Sequence, residues 1–537
     1  MTAGLVSKKI SANNFKIAYF TMEIGLDSTI PTYAGGLGVL AGDHVLSCAD
    51  LEVPLFAVTL AHRAGYFKQK LDDYRGQLEE DDTWDPSSKM DLETTISIPL
   101  KEEVKVNVWR YNVRGIDGYT IPVFFLDTDV EKNSEEAKRI THRLYQGDPR
   151  YRLAQEAVLG IGGYLLIKQL GLNPDIYHLN ELHSALLLPQ LLKEMKNPHK
   201  VREMCKLTIH TPLINPIDSK FDYSLVKSLI PDLPSDIQSF AGDKNLELMK
   251  LAVSLSGSIN AVSRKQKEIL QSSLEVDYIT NGVHHIRWCA ESFQKLFEEH
   301  IPNWRRDPSE LAKSKLPDKN VSQAHKHAKA HLLEYIAHYT GREFDPSVFT
   351  IGIGRRVTWY KRHNLILKNP ERLKEIAKKY GGLQIVFAGK AHPEDPSKSI
   401  ITDILNTKIE GVEIVFLPNY NIDLAKLMVA GSDVWLNNPL PPNEACGTSG
   451  MKAALNGVPH FTTLDGWALE GLQEGINGWV IDGDFYQKLE SVILELSKRE
   501  TEIRKETIAT ITPYFNSHRM VKEYCERMYG VKLPVTV

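Results

Sequence analysis

The chain has 537 residues, 42% of them hydrophobic and 25% charged, the make-up of a globular protein long enough for two or three domains. A formal net charge of −4 gives no support for nucleic-acid or anionic-membrane binding. Five scattered cysteines argue against a disulfide framework and a structural zinc site. No apolar run reaches the roughly 20 residues that span a bilayer, and residues 1–10 have no apolar core of signal-peptide length. A cytoplasmic protein is expected.

Residues 15–20 read as a first strand, 37–50 as a helix with apolar residues at three- and four-residue spacing, and 54–60 as the next strand. Between the first strand and the helix stands Tyr33-Ala34-Gly35-Gly36-Leu37-Gly38. A glycine turn that opens a helix lets the amides of Gly35, Gly36 and Gly38 approach a phosphate or a sugar. A lone glycine cluster also makes an ordinary tight turn. Residues 72–129 are rich in charge and β-branched side chains and read as an antiparallel or mixed insertion. Asp148 precedes a helix over 151–170, either near a site or as that helix's cap.

Residues 175–180 form a strand, after which Glu181 and His183 open a helix. Residues 206–209 form another, ending in His210, Thr211 and Pro212. Polar side chains at the carboxyl ends of successive parallel strands mark where α/β sheets bind ligands. Residues 256–263 read as a further strand, and the stretch 276–284 that follows carries Asn281. The chain crosses to a second unit near Trp288, and 289–345 are helical, lysine-rich and polar.

The second unit opens with a strand at 349–354. Arg355, Arg356, Lys361 and Arg362 follow, four cations within eight residues. They repel one another unless an anion or solvent screens them. Arginine forks oxygen pairs and lysine adds a point charge, so the segment reads as an anion site or as a solvated basic loop. Strands at 383–388 and 411–417 lead to Tyr420.

A strand at 432–436, a loop, a helix over 451–456 stopped by Gly457, and a strand at 458–462 complete a parallel-sheet unit. Thr448 and Ser449 offer N-cap hydroxyls. Lys452 sits in the first turn, pointing back toward the free amides of 447–450. An amine beside an anion cradle suits a Schiff base with an aldehyde that carries a phosphate, and pyridoxal phosphate is that molecule. The stretch also reads as an ordinary helix with a solvated lysine. Residues 486–498 and 516–524 are further helices.

The string from Glu444 to Lys452, Glu-Ala-Cys-Gly-Thr-Ser-Gly-Met-Lys, resembles the cofactor-lysine segment of the α-glucan phosphorylases, the glycogen, starch and maltodextrin phosphorylase family. At least six separated motifs keep that family's order from about residue 16 to 529, in the manner of its short bacterial and archaeal branch. The resemblance implies an α/β fold of two Rossmann-like lobes (GT-B type) with the active site in the cleft. The first lobe would span 1–285 and the second 286–513, with a helix in 514–537 crossing back. It implies reversible phosphorolysis of α-1,4-glucans or maltodextrins to α-D-glucose 1-phosphate, with pyridoxal 5′-phosphate as cofactor and no metal.

By that resemblance Lys452 carries the cofactor, with Thr448, Ser449, Arg355, Gly36, Tyr420 and Trp288 around it. Arg356 and Lys361 grip phosphate, and His210 joins them as a catalytic residue. Glu444, Asn281, Gly447, Cys446, Gly35, Leu37 and His183 bind the glucosyl unit. Cys446 stands where many members have serine, Arg355 where many have lysine, and Thr358 where a histidine is common. A homodimer is possible. Two alternatives remain: a nucleotide-sugar glucosyltransferase of the glycogen synthase type, which shares the glycine loop but needs no such lysine, and a non-catalytic glucan-binding protein.

Overall fold

The structure is a computed structural model that describes residues 16–72, 76–211, 219–313 and 315–533; Phe15 and Pro212 lie outside the described residues. Short apolar, β-branched runs become strands buried along their whole length, which requires both sheet faces to be covered. β1 (Ile17–Thr21) and β2 (Leu55–Leu60) are of this kind. β3 (Lys68–Leu71) and β4 (Gln77–Glu80) form a separate antiparallel ribbon. β5 (Asp91–Pro99), β6 (Glu103–Arg114) and β7 (Thr120–Asp127) follow. β8 (Ile176–Asn180), β9 (Cys205–Ile209), a side ribbon of β10 (Lys220–Asp222) and β11 (Asn245–Glu247), and then β12 (Ser258–Ala261) and β13 (Asp277–Tyr278) complete the first unit. The main sheet runs β13-β12-β9-β8-β1-β2-β7-β6-β5.

Several expectations are corrected here. The segment read as an insertion is part of the main sheet: β7 joins β2 in parallel, and β6 and β5 add antiparallel strands at its edge. The helix expected over 151–170 starts at Pro149, passes through a π-helical turn at Val158–Gly162 and resumes as Gly163–Gln169. Asp148 is its cap, its carboxylate accepting the Tyr151 amide. No helix opens at Glu181. That residue has φ +70° and its carboxylate accepts the amides of His210 and Thr211, so the chain turns before the helix Leu187–Met195 begins. The strand read at 256–263 is β12, and the stretch 276–284 that follows it holds the two residues of β13.

The second sheet contains β14 (Thr350–Gly354), β15 (Leu383–Ala388), β16 (Val412–Leu417), β17 (Val434–Asn437), β18 (His460–Thr462) and β19 (Gly478–Val480). Its order is β16-β15-β14-β17-β18-β19, all parallel. The parallel part of each sheet reverses its strand order once, beside β1 in the first and beside β14 in the second, the doubly wound arrangement of a Rossmann-like fold, and the first sheet turns back again where the antiparallel β6 and β5 follow β7.

The helix Ser517–Tyr524 packs against the first unit. Met520, Val521 and Tyr524 share a core with Ile17, Tyr19 and Val45. The Asp50 carboxylate joins three segments, lying 2.8 Å from His284 Nε2 and 3.0 Å from His518 Nε2. All five cysteines are free and buried. Among the described residues no helix is long and apolar enough to cross a membrane.

Candidate active site

The carboxyl ends of β1 and β8 on one sheet, and of β14 and β17 on the other, converge on a cavity of ≈ 670 Å³, the size range of small-molecule sites. Ligands of such sheets bind at these reversal points. The cavity brings together the residues that the family resemblance assigns to cofactor and substrate; Gly38, Asp148, Thr358 and Arg362, also noted in the sequence, do not line it. The first unit supplies Gly35, Gly36, Leu37, His183, His210 and Asn281, and Trp288 comes from the crossing between the units. The second supplies Arg355, Arg356, Lys361, Tyr420, Glu444, Cys446, Gly447, Thr448, Ser449 and Lys452.

Lys452 lies on the helix Ser449–Ala454 and is buried. Its Nζ sits 3.8 Å from the centroid of the Trp288 ring. Burial lowers its pKa to about 8, against a smaller opposing pull from Asp43. An amine so placed is in part neutral, hence nucleophilic, near neutral pH. The expected capping does not occur: Thr448 is the N-cap residue but makes no side-chain cap bond, and the Ser449 hydroxyl accepts from Trp435 Nε1 at 3.0 Å.

Asp43 went unnoticed in the sequence, yet it organises the floor beneath Lys452. Its carboxylate accepts from Trp288 Nε1 at 2.7 Å, from Arg287 at 3.0 Å and from the His284 amide at 3.1 Å. It stands two helical turns after Gly36, on the same face. An aspartate in the middle of a largely apolar helix is no spacing motif, and only the contacts with Trp288 and Arg287 reveal its place. Glu23 is a second such residue. Its carboxylate accepts from the amides of Ala34 and Gly35 at 2.6 and 3.3 Å and from the Tyr145 hydroxyl at 3.0 Å. These bonds fix the glycine loop so that Gly35 and Gly36 face open space: a Cβ built on either meets nothing within 4 Å.

The cations divide in two. Arg355, expected at the cofactor phosphate, lines the cavity, and its terminal nitrogens donate to Leu436 O and Asn437 Oδ1 at the end of β17 and to Lys361 O and Asn438 Oδ1. Burial lowers its pKa to about 10. It braces the loop. Arg356 is exposed, lines the cavity and acts through its charge on Glu23 and Tyr145. Lys361 Nζ donates to Glu444 Oε2 at 2.6 Å. Gly447, at φ +72°, turns the chain between Glu444 and the lysine helix.

The His210 ring is hydrogen-bonded to Asn180 Oδ1 at 2.6 Å, and burial lowers its pKa to about 3. His183 is lowered to about 4 for the same reason. Both rings are neutral imidazoles at physiological pH, each with a single N–H, and His210 donates its own from Nε2 to Asn180 Oδ1.

Glu181, also unassigned in the sequence, is pushed up to about 7 by burial, although the amides of His210 and Thr211 oppose the shift. Its unfolded carboxyl titrates near about 4.3. Between those values the folded chain binds the extra proton, so stability falls as pH rises through that window. Glu181→Gln is expected to gain unfolding free energy relative to the parent between pH 5 and pH 8. Denaturant titrations at both pH values check this; a difference independent of pH would contradict it.

Comparison with known proteins adds two family matches. The carbohydrate phosphorylase family matches residues 187–481, and the starch synthase catalytic domain matches residues 27–285. A glycogen phosphorylase of Aquifex aeolicus is 34% identical over 96% of this chain and 86% of its own. A maltodextrin phosphorylase of Thermococcus litoralis is 32% identical over 96% of this chain and 71% of its own. An uncharacterized protein of Methanocaldococcus jannaschii is 31% identical over 95% of this chain and 99% of its own.

Proposed function

Because the chain belongs to the carbohydrate phosphorylase family and is an enzyme of the α-glucan phosphorylase kind, we propose that it catalyses the reversible phosphorolysis of α-1,4-glucans or maltodextrins to α-D-glucose 1-phosphate, with pyridoxal 5′-phosphate as cofactor. The observation that carries this reading is one cavity that holds both a partly neutral, buried lysine and a separate pair of cations. Lys452 suits an aldehyde, and Arg356 with Lys361 suits a second anion, the substrate phosphate.

The residues fit the cofactor. The Lys452 amine lies against Trp288 and makes no hydrogen bond to a described residue. Gly35 and Gly36 border open space at the start of a 15-residue helix, where anions are favoured; the Gly35 amide is donated to Glu23, which leaves the Gly36 end of the turn to face a ligand. Thr448, Ser449 and Tyr420 line the same wall. When bound, the cofactor supplies a phosphate group that can share a proton with the substrate phosphate.

Arg356, Lys361 and the Gly36 amide hold the cofactor phosphate and the substrate phosphate together and offset charge that builds in the transition state. They keep the latter where it can pass a proton to the glycosidic oxygen. Glu444, Asn281 and the backbone at His210 and Gly447 orient the glucosyl unit. Glu444 already pairs with Lys361, so the sugar-binding and phosphate-binding groups are coupled across one contact. The same reading divides the chain into lobes at 1–285 and 286–513, with 514–537 returning to the first lobe. The packing of Ser517–Tyr524 against Gly36–Asp50 supports that division.

The starch synthase match over residues 27–285 favours a second reading, glucosyl transfer from a nucleotide sugar. Primer extension separates the two. With a maltooligosaccharide primer, chain growth is expected from α-glucose 1-phosphate and not from a nucleoside-diphosphate glucose. Growth from the nucleotide sugar alone would reverse the assignment.

A further inference from the structure

Of the eight tryptophans, seven are buried or half-buried, but Trp359 is 63% exposed. So large an aromatic surface in water is unfavourable unless something covers it. Its place in the chain says what does. Trp359 opens the one-turn helix Trp359–Lys361, and the next two residues, Tyr360 and Lys361, line the cavity. Trp359 therefore stands at the mouth, its ring edge-on to Tyr360 with centroids 5.9 Å apart.

A second loop flanks it. Leu440, 39% exposed, donates its amide to Tyr360 O at 2.7 Å, and Arg362 donates to Asn438 O and Pro439 O at 2.9 Å each. Asn443, which lines the cavity, donates from Nδ2 to Leu440 O at 2.8 Å. The two loops are laced together, so the apolar surface is held in place before any ligand arrives. A hexose unit has this chemistry in reverse: one apolar C–H face for an aromatic ring and a rim of hydroxyls for polar side chains.

We propose that Trp359, with Leu440 and Asn443, is a stacking platform for glucan units that extend out of the cavity. This rests on the glucan reading above. The cavity can enclose only a short stretch of a polymer, and the remainder must leave past its mouth. The platform makes Trp359 a determinant of chain-length preference, outside the reacting groups.

The test uses the holoenzyme and its Trp359→Ala and Trp359→Phe variants on maltooligosaccharides of increasing length, with maltoheptaose binding followed by calorimetry. Trp359→Ala is expected to lose roughly tenfold in maltoheptaose affinity and kcat/KM, with a smaller loss on shorter chains and the KM for phosphate within about twofold. Trp359→Phe should restore most of the loss. An identical loss at every length, or none, would overturn the platform while leaving phosphorolysis by the parent intact. A parent that neither binds nor cleaves maltoheptaose would sink the glucan reading itself, and the platform with it. A changed sedimentation coefficient with an unaltered length profile would assign Trp359 to a contact between copies of the chain instead.

Discussion

Replacing Lys452 by alanine is expected to give a folded protein that retains no pyridoxal phosphate and has lost on the order of 10³-fold or more in activity, since the covalent anchor and the positioning it brings disappear together. The side chain is buried against the Trp288 ring, but its loss leaves no buried partner unpaired. Asp43, the carboxylate whose charge acts on Lys452, keeps Trp288, Arg287 and the His284 amide. Folding and anchoring therefore separate. Borohydride reduction followed by peptide mapping checks the point: the parent should carry the reduced cofactor on Lys452 and the variant none. Because burial lowers the amine to about 8, loading of cofactor-free parent should quicken as pH rises toward 8 and then level off. A rate that climbs instead toward the ordinary lysine value near about 10.4 would contradict the site's electrostatics.

The second large effect is on stability. Asp433 stands just before β17 and is the hub of a buried charge cluster. One oxygen faces His325 Nε2 at 2.9 Å and Arg504 at 3.4 Å; the other accepts from Lys329 Nζ at 2.6 Å and the Thr350 amide at 2.8 Å. These cations and hydrogen bonds outweigh burial and hold the carboxyl well below its ordinary range. Asp433→Ala leaves Lys329 and Arg504 buried without their main counter-charge, a change that typically costs about 3–5 kcal/mol. Arg504 also donates to Gly457 O at 3.0 Å, at the end of the lysine helix. Loosening the cluster should therefore reach the cofactor wall.

The measurement for Asp433 is the denaturant midpoint, followed through the near-ultraviolet signal of the adjacent Trp435. Asp433→Asn, which keeps an oxygen acceptor, should fall between the parent and the alanine variant. The depressed pKa means this stability is present above the unfolded carboxylate pKa and is lost as pH falls through the folded value. An unchanged midpoint for Asp433→Ala would refute the account of the cluster.

The sheet strands were readable in the sequence because their signal is local. The runs at β1, β14, β15 and β16 are short, apolar and followed by polar or glycine-rich turns. The lysine segment was readable because glycines, hydroxyls and the amine are contiguous. What the sequence did not disclose depends on contacts between distant segments. Glu23, Asp43 and Glu181 act by accepting backbone or indole N–H groups from other loops, and no spacing rule marks such a carboxylate. Arg355 and Arg356 are adjacent and alike in sequence. Only the position of Asn437 and Asn438 makes one a brace and leaves the other exposed. The edge placement of β5 and β6 was equally hidden, since alternation identifies a half-buried strand but not the sheet it joins.

The central claim is phosphorolysis, and its most direct test is a phosphorus-31 NMR time course of the pyridoxal-phosphate-loaded protein with maltodextrin and inorganic phosphate. The orthophosphate signal should fall as α-glucose 1-phosphate grows in, stopping short of completion because the reaction is reversible. Orthophosphate left unconsumed while the loaded protein carries its cofactor on Lys452 would contradict the account.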